Sequence, residues 1–310
     1  MAGSVAVLGV FVADTAYRAD RQPAMGETIL GTSFKLGPGG KGSNQAVAAA
    51  KLGVKTHFIT RLGVDTFADM AMSAWRDAGV TPAVTATSES YTGAAYIFVD
   101  NATGDNAIIV SPGAAALITP EDVEASAGLI QSSAVFVTQL EQPIDAAIRG
   151  LRIAREAGVT TIFNPAPAAE NLPDEIYGLC DYVTPNETEA EALTGMPVAS
   201  IDDARNAASA LLAKGAGTVV ITLGGKGVLL QSSRQSAHVP ATAAGPVVDT
   251  TGAGDAFNGG FAAALAKGMP AEEAVRFGCA VAGISVTRPG TAPSMPSLAE
   301  AEAFFSKQAR

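Results

Sequence analysis

The strongest chemical signal in this chain is the run Asp249-Thr250-Thr251-Gly252-Ala253-Gly254-Asp255. It leads into residues 256–267, which are apolar, rich in small side chains and helical in pattern. Gly252 and Gly254 let the backbone come close to a ligand and adopt torsion angles closed to other residues. The first amides of the following helix have no partner within it, and the helix dipole adds about half a positive charge there. Glycines running into a helix start therefore make an anion site. A carboxylate inside such a site, Asp255, would repel a bound phosphate unless it has work of its own. That work is to take a proton from an attacking hydroxyl. Meanwhile the amides of Gly252, Ala253, Gly254 and Asp255 hold the charge developing on a transferred phosphoryl group. An N-capping Asp on a glycine turn is the plainer alternative.

Other strings add to this or compete with it. Asn186 and Glu189 stand three apart on one face of a helix start, where a capping box is the structural explanation of the pair. Thr222, Gly224 and Gly227 follow a strand-like run and read either as a turn or as part of a ligand site. Gly37-Pro38-Gly39-Gly40-Lys41-Gly42 satisfies G-x-G-x-x-G, with Asp65 roughly where a ribose-binding acid would stand, so a dinucleotide site has to be weighed. Context excludes it. These glycines do not close the first strand, and Pro38 sits in a turn that needs N–H donors. The sequence contains no Gly-x4-Gly-Lys-Ser/Thr string.

These residues need a scaffold. Brief apolar, partly β-branched runs at 5–9, 57–60, 134–138, 160–163, 182–184 and 218–222 alternate with Ala-rich helical stretches at 43–52, 67–78, 143–157, 188–194 and 202–214. Such alternation predicts an α/β fold with a large, mostly parallel central sheet flanked by helices. Short continuous hydrophobic runs are what parallel strands buried on both faces require. Two regions, about 14–36 and 91–111, look like hairpin material, with Asn101-Ala102-Thr103-Gly104 as a turn. They read as one small β-sheet lid over the strand ends, or as two unrelated surface hairpins. The whole of 1–310 reads as a single domain carrying this lid.

Composition narrows the partners. A charged fraction of 16% and a hydrophobic fraction of 48% mark a packed globular chain. The mean hydropathy of +0.25 prompts a search for a membrane span, but no run approaches the ~18 apolar residues one needs. Residues 1–10 read as a first strand, not a signal peptide. The net charge of −10, with no basic cluster, argues against nucleic acid and for small-molecule ligands. Cys180 and Cys279 form no motif, which suits a reducing, cytoplasmic compartment.

Asp249–Asp255 resembles the second signature of the ribokinase-like carbohydrate kinases, and Gly39-Gly40-Lys41-Gly42-Ser43-Asn44-Gln45-Ala46 resembles the first. Likeness extends through Thr138-Gln139-Leu140-Glu141, Asn164-Pro165-Ala166-Pro167, Thr184-Pro185-Asn186-Glu187-Thr188-Glu189 and Thr222–Gly227, over essentially the whole chain. The resemblance implies transfer of the γ-phosphoryl group of ATP to a primary hydroxyl of a pentose, D-ribose foremost. Fructose, a sugar acid or a nucleoside are the alternatives within the family, and a non-catalytic sugar- or nucleotide-binding protein on the same scaffold is the rival of another class. It assigns the sugar to Asp14, Gly40, Lys41, Asn44, Glu141 and Asp255. The nucleotide goes to Asn186, Thr222, Gly224, Gly227, Gly254 and Cys279, and Mg2+ to Glu189 through water. A monovalent cation, K+, goes to Asp249, Thr251, Ser285, Arg288, Gly290 and Ser294. It also implies a homodimer through the lids. Two positions depart from the family's pattern: Val12 stands where Asn is usual, two residues before Asp14, and Cys279 where Asn or His is common.

Overall fold

The computed structural model describes residues 3–169 and 172–308. Its strands are β1 (Val5–Leu8), β2 (Val12–Ala19), β3 (Ser33–Gly39), β4 (Thr56–Leu62), β5 (Val80–Ala86), β6 (Thr92–Asp100) and β7 (Asn106–Gly113). They continue as β8 (Val135–Thr138), β9 (Thr160–Phe163), β10 (Tyr182–Val183), β11 (Thr218–Thr222), β12 (Val228–Ser232) and β13 (Ser236–Val239). The larger sheet has the order β13-β12-β11-β10-β9-β8-β1-β4-β5. From β5 to β11 every neighbouring pair is parallel, and β12 and β13 turn back antiparallel at one edge. This is the α/β class expected from the sequence.

β1 shows why the apolar runs become central strands. All four of its residues are buried, and they alternate between the two faces. Val5 and Val7 join the core made with Ala46, Phe257 and Phe261, while Ala6 and Leu8 join the one made with Leu151 and Ala207. Helices Lys41–Lys51 and Ala253–Ala266 thus cover one face, and helices Ile144–Glu156 and Ile201–Ala213 the other. The first two touch closely. A Cβ on Gly259 would lie 2.4 Å from the Ala48 Cβ and 2.6 Å from the Gln45 carbonyl oxygen.

The second sheet has the order β3-β2-β6-β7. β2 and β6 pair in parallel and join the two expected hairpin regions, while β2–β3 and β6–β7 are antiparallel. β5, which is not among the strand-like runs of the sequence, contains Pro82. It lies at the edge of the large sheet, where a missing N–H costs no ladder bond. Helix Ala253–Ala266 begins three residues before the expected 256, which puts Asp255 inside its first turn.

Candidate active site

β1 pairs with β4 on one side and β8 on the other, so the chain leaves the strand ends in opposite directions there. A crevice opens at such a switch point, beyond the carboxyl ends of the strands. Helix Lys41–Lys51 starts in it. Its N-cap, Gly40, has φ 88°, and a Cβ at that position would sit 2.3 Å from the Val10 carbonyl oxygen. Only glycine lets the helix begin this close to the backbone that follows β1. The Lys41 amide then donates to Glu141 Oε2 at 2.7 Å, just beyond β8, while Asp14 comes in from β2.

Gly252 is the N-cap of helix Ala253–Ala266, in the left-handed region at φ 78°. The Ala253 N–H donates to the Thr250 carbonyl at 3.1 Å, leaving Gly252, Gly254 and Asp255 as the first-turn amides that this turn does not use. Asp255 makes no capping bond, which removes the plainer alternative for it. Its side chain is buried instead, 8% exposed. Asn44 Nδ2 donates to Oδ2 at 2.9 Å and Gln45 Nε2 to Oδ1 at 3.0 Å. A cavity of about 170 Å³ lies against this turn. Lys41, Asn186, Glu189, Thr222, Gly252, Ala253, Gly254 and Asp255 line it, together with Asn164, Ala166, Thr184, Thr250 and Asn258.

Four carboxyl groups surround one ammonium here. Burial pushes the Asp255 carboxyl up, against the pull of Lys41 and its two amide donors. Burial, reinforced by the charge of Asp255, lifts Asp14 to about 6. Burial lifts Glu141 to about 7 against the charge and the amide of Lys41, and Glu189 to about 7 against the Asn186 amide and Lys41. Burial alone would lower the Lys41 ammonium, but Asp255, Glu141, Glu189 and Asp14 together hold it above its usual range. The site therefore sets one cation among four carboxyl groups, each of which can accept from more than one donor when ionised.

Asn186 and Glu189 do form a capping box: Glu189 N–H donates to Asn186 Oδ1 at 2.8 Å and Asn186 N–H to Glu189 Oε2 at 2.9 Å. They line the cavity as well, so the cap does not turn them away from it. Gly224 and Gly227 lie in the 3-10 turn after β11, at φ 51° and 97°, outside the cavity that Thr222 lines. Cys279 is buried within helix Ala271–Ser285, its thiol pushed up to about 12 by that burial, and its carbonyl accepts from the Thr242 hydroxyl at 3.2 Å. It does not line the cavity.

Of the residues that the resemblance assigns to a monovalent cation, Thr251 and Gly290 reach Asp249. Its carboxylate accepts from the Thr251 and Gly290 amides, each at 2.9 Å. Ser285 and Ser294 hydroxyls donate to the Ala282 and Thr291 carbonyls, at 2.9 and 2.7 Å. The Arg288 guanidinium pairs with Glu300. Among the described residues no three His, Cys, Asp or Glu side chains are grouped to hold a metal ion.

Sequence reasoning gave no role to Gln45, Gln139, Asn164, Thr184 or Asn258. Gln139, Asn164 and Thr184 each follow the last residue of a buried strand, β8, β9 and β10 in turn, and that repeated position was a signal. Asn164 Oδ1 accepts from Gln45 at 3.0 Å, and its Nδ2 donates to the Thr184 carbonyl at 2.8 Å. The Thr184 hydroxyl donates to Asn258 Oδ1 at 2.6 Å.

A glycine turn opening a helix, a buried carboxylate inside it and a polar crevice at the strand switch point thus meet on one α/β scaffold. Residues 2–298 match the pfkB family of carbohydrate kinases, and the chain belongs to that family. It is a sugar kinase. It is 40% identical to a ribokinase of Haemophilus influenzae over 98% of this chain and 99% of that protein. It is also 38% identical to a deoxyribokinase of Salmonella typhi, over 97% and 98%. Its fold matches the Arabidopsis thaliana ribokinase solved with ribose and ATP, with a TM-score of 0.92, 32% identity and coverage of 98% and 99%. No helix among the described residues is long and apolar enough to cross a membrane.

Proposed function

We propose that the protein transfers the γ-phosphoryl group of ATP to the primary hydroxyl of a pentose, D-ribose foremost, giving the 5-phosphate. The observation that carries this is Asp255, a buried carboxylate in the first turn of a helix whose amides favour an anion. Asp255 takes the hydroxyl proton. The amides of Gly252, Gly254 and Asp255 receive the charge on the phosphoryl group, and Lys41 adds a positive charge close to it. Asp14, Asn44 and Glu141 bind the other hydroxyls, with Gly40 leaving room for the sugar. Positioning and electrostatics carry most of the rate in such transfers.

ATP enters from the side of Asn186, Thr222, Gly224 and Gly227, and its adenine end extends toward Cys279. Glu189, a carboxyl that lines the cavity, would hold Mg2+ through water, as suits an ion that keeps most of its waters. When bound, it neutralises phosphate charge. Oxygens of Asp249, Thr251, Ser285, Arg288, Gly290 and Ser294 suit K+, and from Arg288 that oxygen is the backbone carbonyl, since a guanidinium has no acceptor. The small sheet acts as the lid. Its exposed Tyr17, Phe34, Leu36 and Ile109 suit burial against a second copy of the chain. The cytoplasm, where ATP is found, is the compartment this reading requires.

A second substrate has specific support. Val12 lies on the same side of β2 as Asp14, is 5% exposed, and can neither donate to nor accept from a hydroxyl. A relative named deoxyribokinase is as similar as those named ribokinase. A pocket wall without a polar partner does not penalise a missing hydroxyl, so a deoxyribose is the competing pentose. The ratio of kcat/KM for the two sugars decides.

Gly254→Ala tests the phosphate seat. A Cβ there meets no protein atom within 4 Å, and Ala is favoured over Gly in a helix, so the fold should keep or gain stability. The expected result is an unchanged or higher Tm with KM for ATP raised about 10-fold, the cost of a methyl group pressed against a bound phosphate. An unchanged KM would place the phosphates elsewhere.

A further inference from the structure

We propose that Gln45 is a positioning residue for Asp255, locked in its working orientation by Gln139. The inference rests on Asp255 being the base. Gln45 is 1% exposed in the middle of an alanine- and valine-rich helix, where an amide is costly unless every polar atom is used. All are used. Nε2 gives one hydrogen to Asp255 Oδ1 and the other to Asn164 Oδ1, both at 3.0 Å, and Oε1 accepts from Gln139 Nε2 at 2.7 Å.

The direction of this chain is forced by chemistry. An ionised carboxylate only accepts, so Gln45 must turn its NH2 toward Asp255. Its oxygen then faces Gln139, which must present an NH2 in turn. The consequence appears at the far end. Gln139 is fully buried, and its Oε1 is left without a hydrogen-bond partner. An unpaired buried acceptor is unfavourable, and here it accompanies two donors kept aimed at the Asp255 side. Asn44 holds the other carboxylate oxygen, but its own Oδ1 is buried and unpartnered, so its amide is not locked at both ends. That of Gln45 is, which makes it the fixed clamp. Gly259 supports it by letting the second helix lie against the Gln45 backbone.

Four charged groups face Asp255: Lys41 from its helix start, Asp14 from β2, Glu141 from beyond β8 and Glu189 from helix Glu187–Thr194. Three are acids, each pushed up in part by the charge of Asp255, while burial favours a protonated Asp255. Gln45 works against that burial, holding the carboxylate ionised and its Oδ1 fixed, and it makes no hydrogen bond to any of the three acids.

Gln45→Met keeps the length of the side chain and removes its donors. The expected result is a 10- to 100-fold fall in kcat, with KM for ATP within about two-fold. The acid limb of the kcat–pH profile should move up by about one unit, the loss of one charge-assisted hydrogen bond. Gln139→Met, which touches no atom of Asp255, should move the limb the same way by less. A fall in kcat equal at every pH, with the limb in place, means a merely structural role and overturns the proposal. So does an unchanged enzyme. If Gln45→Met does not fold, Gln139→Met decides alone, and an unmoved limb rejects the idea. Asp255→Asn separates the two layers: near-normal turnover in that variant defeats the base assignment itself. An inactive Asp255→Asn beside a Gln45→Met with the wild-type limb defeats only the positioning role.

Discussion

Asp255→Asn is expected to lower kcat by about 10²-fold or more, the usual contribution of a positioned general base, while leaving nucleotide affinity nearly unchanged. The protein should stay folded, for a reason visible in its surroundings. Both carboxylate oxygens accept from side-chain amides, Asn44 on one and Gln45 on the other. An asparagine at 255 offers one acceptor and one donor. Its oxygen can keep the Gln45 bond, and its NH2 can meet Asn44, whose unpartnered Oδ1 becomes the acceptor once that amide turns over. The substitution also removes a buried negative charge that burial disfavours. Thermal unfolding with and without ATP should therefore show a Tm equal to or above wild type and the same nucleotide-dependent rise. A variant with near-normal turnover would falsify the role of Asp255. A variant that loses ATP binding together with turnover would point to a structural role.

Gly40→Ala carries the second large effect, and it acts through the backbone. Gly40 sits at φ 88°, where an L side chain is strained, and the added methyl would lie 2.3 Å from the Val10 carbonyl oxygen and 2.9 Å from the Phe11 Cα. Backbone cannot yield as a flexible side chain does. Strain plus contact should cost about 3 kcal/mol, lowering Tm by several degrees. The catalytic consequence should exceed the stability loss, because the methyl pushes the start of helix Lys41–Lys51 away from the crevice. The Lys41 amide would then leave Glu141, and Asn44 and Gln45 would shift against Asp255. A misplacement of about 1 Å is worth roughly 10²-fold in rate, so kcat/KM for the sugar should fall at least that far. A Gly40→Ala enzyme with a wild-type Tm and full activity would mean that this helix start does not set the geometry of the site.

Much of this arrangement is legible in the chain. The central strands announce themselves as short apolar runs because they are buried on both faces. The two glycine strings mark the two helix starts that meet at the cavity, since only glycine tolerates the left-handed and close-approach positions found at Gly40 and Gly252. The edges were harder to read. β5 hides behind Pro82, which an edge strand admits and a central one does not. The parallel pairing of β2 with β6 joins segments about eighty residues apart, and no local pattern encodes a non-local register. Gln45 shows most clearly where sequence reading stops. Its neighbours are the small residues of a helix, and nothing local tells a buried structural amide from one aimed at a carboxylate contributed by residue 255. That partnership exists only because two helices pack at a glycine and Gln139, Asn164 and Thr184 come directly after three successive strands.

The most direct test of the central claim is ADP release from ATP, Mg2+ and K+ by the wild-type enzyme, measured against pentoses, hexoses, sugar acids and nucleosides. The account expects sugar-dependent release with a pentose giving the highest kcat/KM, D-ribose if Val12 is tolerated beside Asp14 and a deoxyribose if it has retuned that wall. Release that no sugar raises above the sugar-free background would contradict it.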